Sequence, residues 1–350
     1  MHASPHMLAL ICALTLAAIA GCERSTSGKP NAAPAEVRLG YFANVTHAQA
    51  ALGVASGDFA KAVAPARFST RVFNAGPSLI EALLTGNIDI GYVGPGPALN
   101  AHDKSRGQGV RVIAGSAANG VIIVARKDSG ITSLKDLAGK RIATPQHGNT
   151  QDIAARHYLT KVLGQEDSST IIPIPNAEQA SMMARKEIDA AWTPEPWGSR
   201  LIIENAATLV AEEKDLWPNK RFDLTVIVTT PKFLARYPDV VKKILAVHVA
   251  WTQRLQDDPQ SHASQLGEAL YAVNQKRLPQ GVLPAALRNV EFSLDPLDET
   301  FQIMGQWAYD LGFARHPAKL EGLIDTTLLQ QVRQQATTTP TTMAANASPQ

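Results

Sequence analysis

Two segments of the chain, one hundred residues apart, share one pattern, and this repeat constrains the fold more than any other feature. Residues 87–97 read NIDIGYVGPGP, and residues 187–197 read EIDAAWTPEPW. Each segment follows an amphipathic helical pattern and is typical of a strand that ends in a turn rich in glycine or proline. Since open α/β sheets bind ligands at the carboxyl ends of their strands, we predict two similar α/β lobes with a cleft between them.

The amino terminus carries an uninterrupted apolar run over residues 7–20. This run is too short to span a bilayer comfortably, and it fits the core of a secretory signal peptide. It leads into Ile-Ala-Gly-Cys22, which resembles a bacterial lipobox, where the chain is cleaved before a cysteine that becomes lipidated. We predict a signal peptide over residues 1–21, a flexible tether over residues 22–35, and an extracytoplasmic protein held at the membrane by a lipid on Cys22.

Strand and helix patterns alternate between residues 36 and 333, which predicts mostly parallel sheets. We assign residues 36–125 and 229–333 to lobe 1 and residues 126–228 to lobe 2, with hinges near residues 125–127 and 228–230. The polar segment 334–350 is predicted to be a disordered tail. His248 lies on the apolar face of a long helical pattern, so we expect a packed core residue rather than a ligand-binding group.

The sequence offers no catalytic or nucleic-acid-binding motif. It contains no nucleophile elbow, Walker loop, two-histidine metalloprotease helix or zinc-type cysteine pair, and its nine histidines do not show metal-ligand spacing. The 33 basic residues nearly balance the 31 acidic ones, and no basic run occurs, which argues against a nucleic-acid partner. We therefore expect a binding protein rather than an enzyme, with neither a metal nor a cofactor.

Three hydroxyl residues at strand-to-helix junctions point to a small anion as the ligand. We expect Thr46 and Ser78 to open helices through capping boxes with Gln49 and Glu81, and Thr150 to supply a hydroxyl cap. Each alone is more often an ordinary cap, but together their free backbone N–H groups suit an anion. Because no Lys or Arg lies in these turns, a diffuse charge such as that of a sulfonate suits them better than a compact dianion.

A wall for the rest of the ligand is expected from the second copy of the repeat. Trp192, Glu195 and Trp197 together would hold an aliphatic or aromatic body and a cationic group. For Trp192 a place in the lobe core is an equally good interpretation.

Five segments carry a resemblance to a known family, which extends from about residue 37 to residue 329. They read GYFANVTHAQ (40–49), FNAGPSLIEALL (73–84), GYVGPGPALN (91–100), ATPQHGNTQD (143–152) and WTPEPW (192–197). In combination they resemble the solute-binding lipoproteins of ABC importers in the aliphatic sulfonate, taurine and nitrate group. The resemblance implies a type II periplasmic-binding fold, with two lobes joined by two crossover segments, and a monomer on the periplasmic side of the cell membrane that delivers its solute to a permease.

The resemblance also implies which turns face the ligand. The residues carried over from it are Thr46, His47, Pro77, Ser78, Gly94, Pro95, Gly148, Asn149, Thr150 and Glu195. Two positions depart from the family pattern, Ala43 and His147, and His147 would add a pH-dependent donor beside the site.

Other functions stay open at this point. A pyrimidine-type thiamine precursor could stack between Trp192 and Trp197, and nitrate is bound within the same family. An enzyme of another class, a precursor synthase or a transferase, could use the same fold, although that synthase type relies on a cysteine- and histidine-rich site and only Cys22 would remain after cleavage. A sensory effector domain would need a fused output module.

Overall fold

The computed structural model describes residues 33–338. The predicted signal peptide, Cys22 and all but the last three residues of the predicted tether lie outside these residues, as does the chain from residue 339 onward. No helix within the described part of the chain is both long and apolar enough to cross a membrane.

Strands and helices alternate along the chain, as the sequence predicts. The strands are β1 (Glu36–Phe42), β2 (Arg67–Phe73), β3 (Ile90–Val93), β4 (Arg111–Asn119), β5 (Val121–Arg126), β6 (Ile142–Thr144), β7 (Ile171–Pro173), β8 (Ala190–Pro194), β9 (Ala207–Glu212), β10 (Asp223–Thr229) and β11 (Val290–Phe292). The α-helices are α1 (Ala48–Ala55), α2 (Asp58–Val63), α3 (Gly76–Leu84), α4 (Pro95–Lys104), α5 (Thr150–His157), α6 (Asn176–Ala184), α7 (Trp197–Ile203), α8 (Pro231–Arg236), α9 (Pro238–Asp257), α10 (Ala263–Asn274), α11 (Val282–Arg288), α12 (Asp298–Asp310) and α13 (Thr327–Thr338).

The two sheets have equivalent strand orders, which confirms the prediction of two similar α/β lobes. The first sheet runs β2-β1-β3-β10-β4-β11, and the second runs β7-β6-β8-β5-β9. In each sheet the first three strands are parallel and the strands beyond them pair antiparallel. The sheets are therefore mixed rather than mostly parallel, because β5 and β10 each enter their sheet directly after a crossover and run back against the parallel strands.

Within the described residues the chain crosses between the sheets twice, and both crossings come earlier than predicted. The first is at Gly120, between β4 and β5, and the second spans residues 213–222, between β9 and β10. The predicted hinges instead fall at the ends of β5 and β10, since the sequence pattern marks a strand without showing which sheet it joins. From here on, lobe 1 means residues 36–119 and 223–338, and lobe 2 means residues 121–212.

The repeat that marks the sequence has a structural role in both lobes. Asp89 accepts hydrogen bonds from the backbone N–H, Nε and Nη2 of Arg38 at 2.9, 2.9 and 2.7 Å. Asp189, one hundred residues later, accepts the same three from Arg141 at 3.0, 3.0 and 2.9 Å. Bidentate Arg–carboxylate pairs are geometrically specific. Each pair therefore ties the middle one of three parallel strands, β1 at Arg38 and β6 at the preceding Arg141, to the residue before the repeat strand, β3 or β8.

The three predicted helix caps are wrong in detail. Asn44 and Ala75 occupy the positions before the first helical turns of residues 45–47 and of α3, and neither Thr46 nor Ser78 makes a capping bond. The side chain of Gln49 instead donates to the backbone oxygen of Ser116 at 2.8 Å. At α5 the cap is the carboxamide of Asn149, which accepts from Asp152 N–H, rather than the Thr150 hydroxyl. Pro77 explains the shift at α3, because proline is well tolerated in a first helical turn and lets the helix begin earlier.

Helix α13 occupies the first residues of the predicted disordered tail, since it extends to Thr338. Leu329 and Val332 are buried against the core, and the Gln-rich residues that follow continue the helix. Burial of one apolar face holds the helix in place, and Gln and Ala are adequate helix formers, so the polar composition did not mark the helix end.

His248 is a buried core residue, as predicted. Its Nε2 lies 2.9 Å from the carbonyl oxygen of Gly115, and its Nδ1 lies 3.0 Å from the hydroxyl of Tyr92. The carbonyl can only accept, so Nε2 carries the proton and Nδ1 accepts from Tyr92. Burial lowers the pKa of His248 to about 4, which keeps it neutral at neutral pH.

Candidate functional site

A small cavity lies between the two sheets, at the carboxyl ends of the parallel strands. Its volume is about 30 Å³, room for about two water molecules or a compact head group. Both lobes contribute to it. It is lined by Phe42, Asn44, Thr46, His47, Asn74, Ala75, Gly76, Gly94, Pro97, Pro145, Asn149, Thr150, Gln151, Asn176, Pro194, Leu224 and Thr225.

The structure brings together only some of the residues that the sequence predicts for this site. Those that line the cavity are Thr46, His47, Gly94, Asn149 and Thr150. Those that do not are Pro77, Ser78, Pro95, Gly148, Trp192, Glu195 and Trp197. The hydroxyl of Ser78 instead donates to the backbone oxygen of Ala75 at 3.0 Å. The backbone N–H of Gly148 donates to the carboxylate of Asp152 at 2.8 Å.

Several lining residues were missed by the sequence reasoning. Asn44 and Asn74 follow the carboxyl ends of β1 and β2, a position that could have identified them. Asn176 opens α6 and could have been found in the same way. Thr225 had no such local signal, because it lies inside β10, whose place beside β3 is set by the second crossover.

Helix amino termini converge on the cavity, as the sequence suggests, although from partly different helices. The first residues of α3, α4, α5 and α6, or the residues just before them, contribute to the lining. The unpaired N–H groups and the dipole at such ends favour negative charge. At the amino terminus of α3, Ala75 and Gly76 line the cavity, and the predicted Ser78 does not.

Three carboxamides in the lining, those of Asn44, Asn149 and Asn176, have their oxygen engaged by the protein. Oδ1 of Asn44 accepts from the indole N–H of Trp197 at 2.7 Å. Oδ1 of Asn149 accepts from the backbone N–H of Asp152 at 2.8 Å, and Oδ1 of Asn176 accepts from Gln179 at 3.2 Å. Because these partners can only donate to the amide oxygen, each of the three side chains is left with its NH₂ group for the cavity.

Two threonines add hydroxyl donors. Oγ1 of Thr150 accepts from the backbone N–H of Gly96 at 3.3 Å, which leaves its proton free to donate. Oγ1 of Thr225 is buried and has no hydrogen-bond partner within the described residues. A buried hydroxyl without a partner costs free energy, so Thr225 is suited to a ligand that accepts from it.

His47 is likewise held as a neutral donor. The backbone N–H of Phe42 donates to its Nδ1 at 3.4 Å, so Nε2 carries the ring proton. The side chain is buried, and this burial lowers the pKa of His47 to about 3. The ring is therefore neutral at physiological pH and presents one N–H.

None of the described residues that line the cavity is a Lys, Arg, Asp or Glu. The buried carboxylate of Asp152, which follows the lining residue Gln151, is paired with Arg156 at 2.9 Å. It also accepts from the hydroxyl of Thr144, so it holds the intervening turn in shape. His147 is 63% exposed beside Asp152 and does not reach the cavity, which removes it as a pH-dependent donor there.

The predicted wall of two tryptophans and a glutamate is not formed. Trp192 is fully buried in the core, one of the two alternatives left open by the sequence, and donates to Glu213 at 2.6 Å. Burial raises the pKa of Glu213 to about 7. Trp197 and Glu195 contact lobe 1 from the turn after β8, outside the cavity lining.

Comparison with known proteins identifies the family. Residues 30–269 match the NMT1-like family. The chain belongs to this family. Among curated relatives of this NMT1-like protein, a binding protein of Brucella abortus (strain 2308) is 31% identical over 181 residues, 51% of this chain and 54% of the relative, so the chain spans about half the length of that relative.

Two further comparisons agree with the fold. The taurine-binding periplasmic protein of Escherichia coli (strain K12) is 25% identical over 241 residues, 67% of this chain and 72% of the relative. The structure of the alkanesulfonate-binding protein SsuA from Xanthomonas axonopodis pv. citri bound to MOPS superposes with a TM-score of 0.71 at 22% identity, covering 84% of this chain and 99% of that one. The resemblance and the two-lobe α/β fold are confirmed, and the named relatives are binding proteins, in agreement with the expectation of a protein that is not an enzyme.

Proposed function

We propose that this NMT1-like protein is the extracytoplasmic solute-binding protein of an ABC importer, which encloses a small organic anion, foremost an aliphatic sulfonate, and delivers it to a membrane permease. The observation that carries the proposal is the donor character of the cavity. Five polar side chains in its lining, those of Asn44, His47, Asn149, Thr150 and Asn176, have their acceptor atoms engaged by protein donors.

The magnitudes support binding through these donors. Micromolar affinity requires about 8 kcal/mol, and each helix dipole contributes only about 0.3 to 1 kcal/mol. A charge-assisted hydrogen bond contributes about 1.5 to 3 kcal/mol, so several uncharged donors suffice without a cation in the lining. Exclusion of water by the enclosing lobes strengthens each of these bonds.

The same donors favour a sulfonate over related anions. A sulfonate spreads one charge over three oxygens that only accept, whereas a phosphonate monoanion carries an O–H that needs an acceptor. The five donor side chains named above already use their acceptor atoms within the protein, so they offer that O–H no partner. Phe42 and Leu224 add apolar surface for a short aliphatic tail, and the curated relatives include a taurine-binding protein.

The alternatives fit this cavity less well. Nitrate could use the donors but has no tail to bury against Phe42 and Leu224. A pyrimidine precursor would need the stacking pair of Trp192 and Trp197, and neither residue lines the cavity.

Calorimetry with defined probes tests the proposal. At neutral pH we expect ethanesulfonate to bind with micromolar affinity, and ethylphosphonate to bind about tenfold or more weakly because the five donor side chains offer its O–H no free acceptor, at a cost of about 1 to 3 kcal/mol. Nitrate should bind more weakly than ethanesulfonate. Tighter binding of an aminopyrimidine than of any anion, or no binding of ethanesulfonate, would overturn it.

We also propose that a lipid on Cys22 holds the protein at the membrane and that the protein acts as a monomer. The lipobox-like sequence before Cys22 supports the anchor. Expressed in its own type of cell, the Cys22→Ser variant should move from the membrane fraction to the soluble periplasmic fraction, while an unchanged distribution would argue against the lipid.

A further inference from the structure

The turn that follows β8 reaches from lobe 2 to lobe 1 at two points. The indole N–H of Trp197, the first residue of α7, donates to Oδ1 of Asn44 at 2.7 Å. Nδ2 of Asn289, which follows α11, donates to Oε1 of Glu195 at 2.6 Å. Each bond therefore joins a residue of lobe 2 to a residue of lobe 1.

Glu195 is buried without a cation among its described partners. Besides Asn289, it accepts from the backbone N–H and the hydroxyl of Ser199 at 3.0 and 2.8 Å. Its burial raises the pKa of this carboxyl. A buried carboxylate held only by neutral donors is costly, so its contact with lobe 1 is better explained by a specific role than by added stability.

Asn44 links this turn to the ligand site, because it lines the cavity and belongs to lobe 1. A carboxamide can present either its oxygen or its NH₂ group. With Oδ1 held by Trp197, the NH₂ group has no described protein partner and is left for the cavity. Which group Asn44 presents to the cavity, its oxygen or its NH₂, therefore depends on whether Trp197 is hydrogen-bonded to it.

We propose that residues 195–199 form a clasp between the lobes, and that Trp197 is a positioning residue that sets Asn44 as an anion donor when the clasp is closed. This inference rests on the proposed function. When the lobes separate about the crossovers, both bonds break and the Asn44 carboxamide is free to rotate, so the anion meets the fixed donor only in the closed form.

The test compares Trp197→Phe with Trp251→Phe. Trp251 is a matched control because its indole N–H also donates to one side-chain oxygen, that of Asp58 at 3.1 Å, but within lobe 1. Dissociation constants are measured by calorimetry for methanesulfonate and ethanesulfonate. We expect Trp197→Phe to weaken both by the same factor, about fivefold, the effect of one neutral hydrogen bond, and Trp251→Phe to leave both unchanged. Asn289→Ala should act in the same direction as Trp197→Phe.

Two results would overturn the clasp. One is an unchanged affinity in Trp197→Phe. The other is a change in the ratio of the two dissociation constants, which would mean that Trp197 contacts the ligand directly. If the unmodified protein binds neither sulfonate, the proposed function fails, and the clasp is then judged by X-ray scattering of the ligand-free proteins. A larger radius of gyration in Trp197→Phe than in the unmodified protein and in Trp251→Phe would support the clasp, and equal radii would refute it.

Discussion

Gly94 and Thr150 approach each other so closely across the cavity that a Cβ atom on Gly94 would lie 2.3 Å from Oγ1 of Thr150. Gly94 follows β3 in lobe 1, and Thr150 opens α5 in lobe 2. The backbone φ of Gly94 is −74°, a value that any residue adopts, so the need for glycine here comes from the neighbouring lobe and not from backbone strain.

Replacing Gly94 with alanine should therefore obstruct the approach of the lobes. We expect Gly94→Ala to weaken ethanesulfonate binding about tenfold or more, as measured by calorimetry. If the donors of one lobe are displaced, the anion loses at least one charge-assisted hydrogen bond. Gly267→Ala is the control, because its Cβ would meet only the end of the Leu283 side chain at 3.0 Å, in α10 and away from the cavity. Equal affinities in Gly94→Ala and the unmodified protein would contradict this expectation.

The donor role of His47 can be tested by replacing its Nε2–H. Glutamine places an N–H near the same position, so we expect His47→Gln to keep most of the affinity for ethanesulfonate, while His47→Phe loses about tenfold or more. Because burial lowers the pKa of His47 to about 3, the ratio of the dissociation constants of the unmodified protein and His47→Gln should stay constant between about pH 5 and pH 8. A ratio that changes across this range would show that His47 binds the anion as a cation.

Trp192 should matter for stability and not for binding. Trp192→Phe removes the bond to the buried Glu213 and leaves a small void, so we expect a loss of about 2 to 4 kcal/mol in the free energy of unfolding. Urea denaturation measures this loss. Calorimetry on the folded variant should give the same ethanesulfonate affinity as the unmodified protein. A weaker affinity would indicate that Trp192 contacts the ligand.

Asp223 should make the protein less stable as the pH rises. Burial raises the pKa of this carboxyl from the ordinary 3.8 to about 7, although Arg221 and the N–H of Leu297 act in the opposite direction. Below about pH 4 the carboxyl is protonated in both the folded and unfolded states; between about pH 4 and pH 7 the unfolded chain ionises first, so stability falls. One oxygen of Asp223 has no described partner, so Asp223→Asn loses no bond there. We expect this variant to gain about 1 to 3 kcal/mol over the unmodified protein at about pH 8 and nothing at about pH 4.

Asp136 provides a control of opposite sign. Its carboxylate accepts from the backbone and hydroxyl groups of Thr132 and Ser133, and these bonds lower its pKa to about 2. Its stabilising effect is present above the ordinary pKa and is lost as the pH falls through about 2. Thermal unfolding of Asp136→Asn should show a lower melting temperature than the unmodified protein at neutral pH, with the difference shrinking in acid. Parallel pH profiles for the Asp136 and Asp223 variants would contradict both assignments.

The sequence predicted more of the architecture than of the site. Strands such as β1 and β5 and the buried face of α9, including His248, were identified because alternation and helical spacing are local properties of the chain. The helix caps were harder to predict from the sequence, because the first helical turns at residues 45–47 and at α3 begin before Thr46 and Ser78. In each case several hydroxyl, amide and proline residues competed for the same few positions.

By itself, the sequence determined that two α/β lobes of one pattern would form and that their strand ends would carry amide and hydroxyl donors without cations. The tertiary structure alone decided which donors meet and which way they face. Asn44 and Trp197 are 153 residues apart, and the bond between them depends on the crossovers at Gly120 and residues 213–222 that place one lobe against the other. Periodicity encodes the elements because it acts between near neighbours, whereas the orientation of an amide in the cavity is set by a partner that only folding brings within reach.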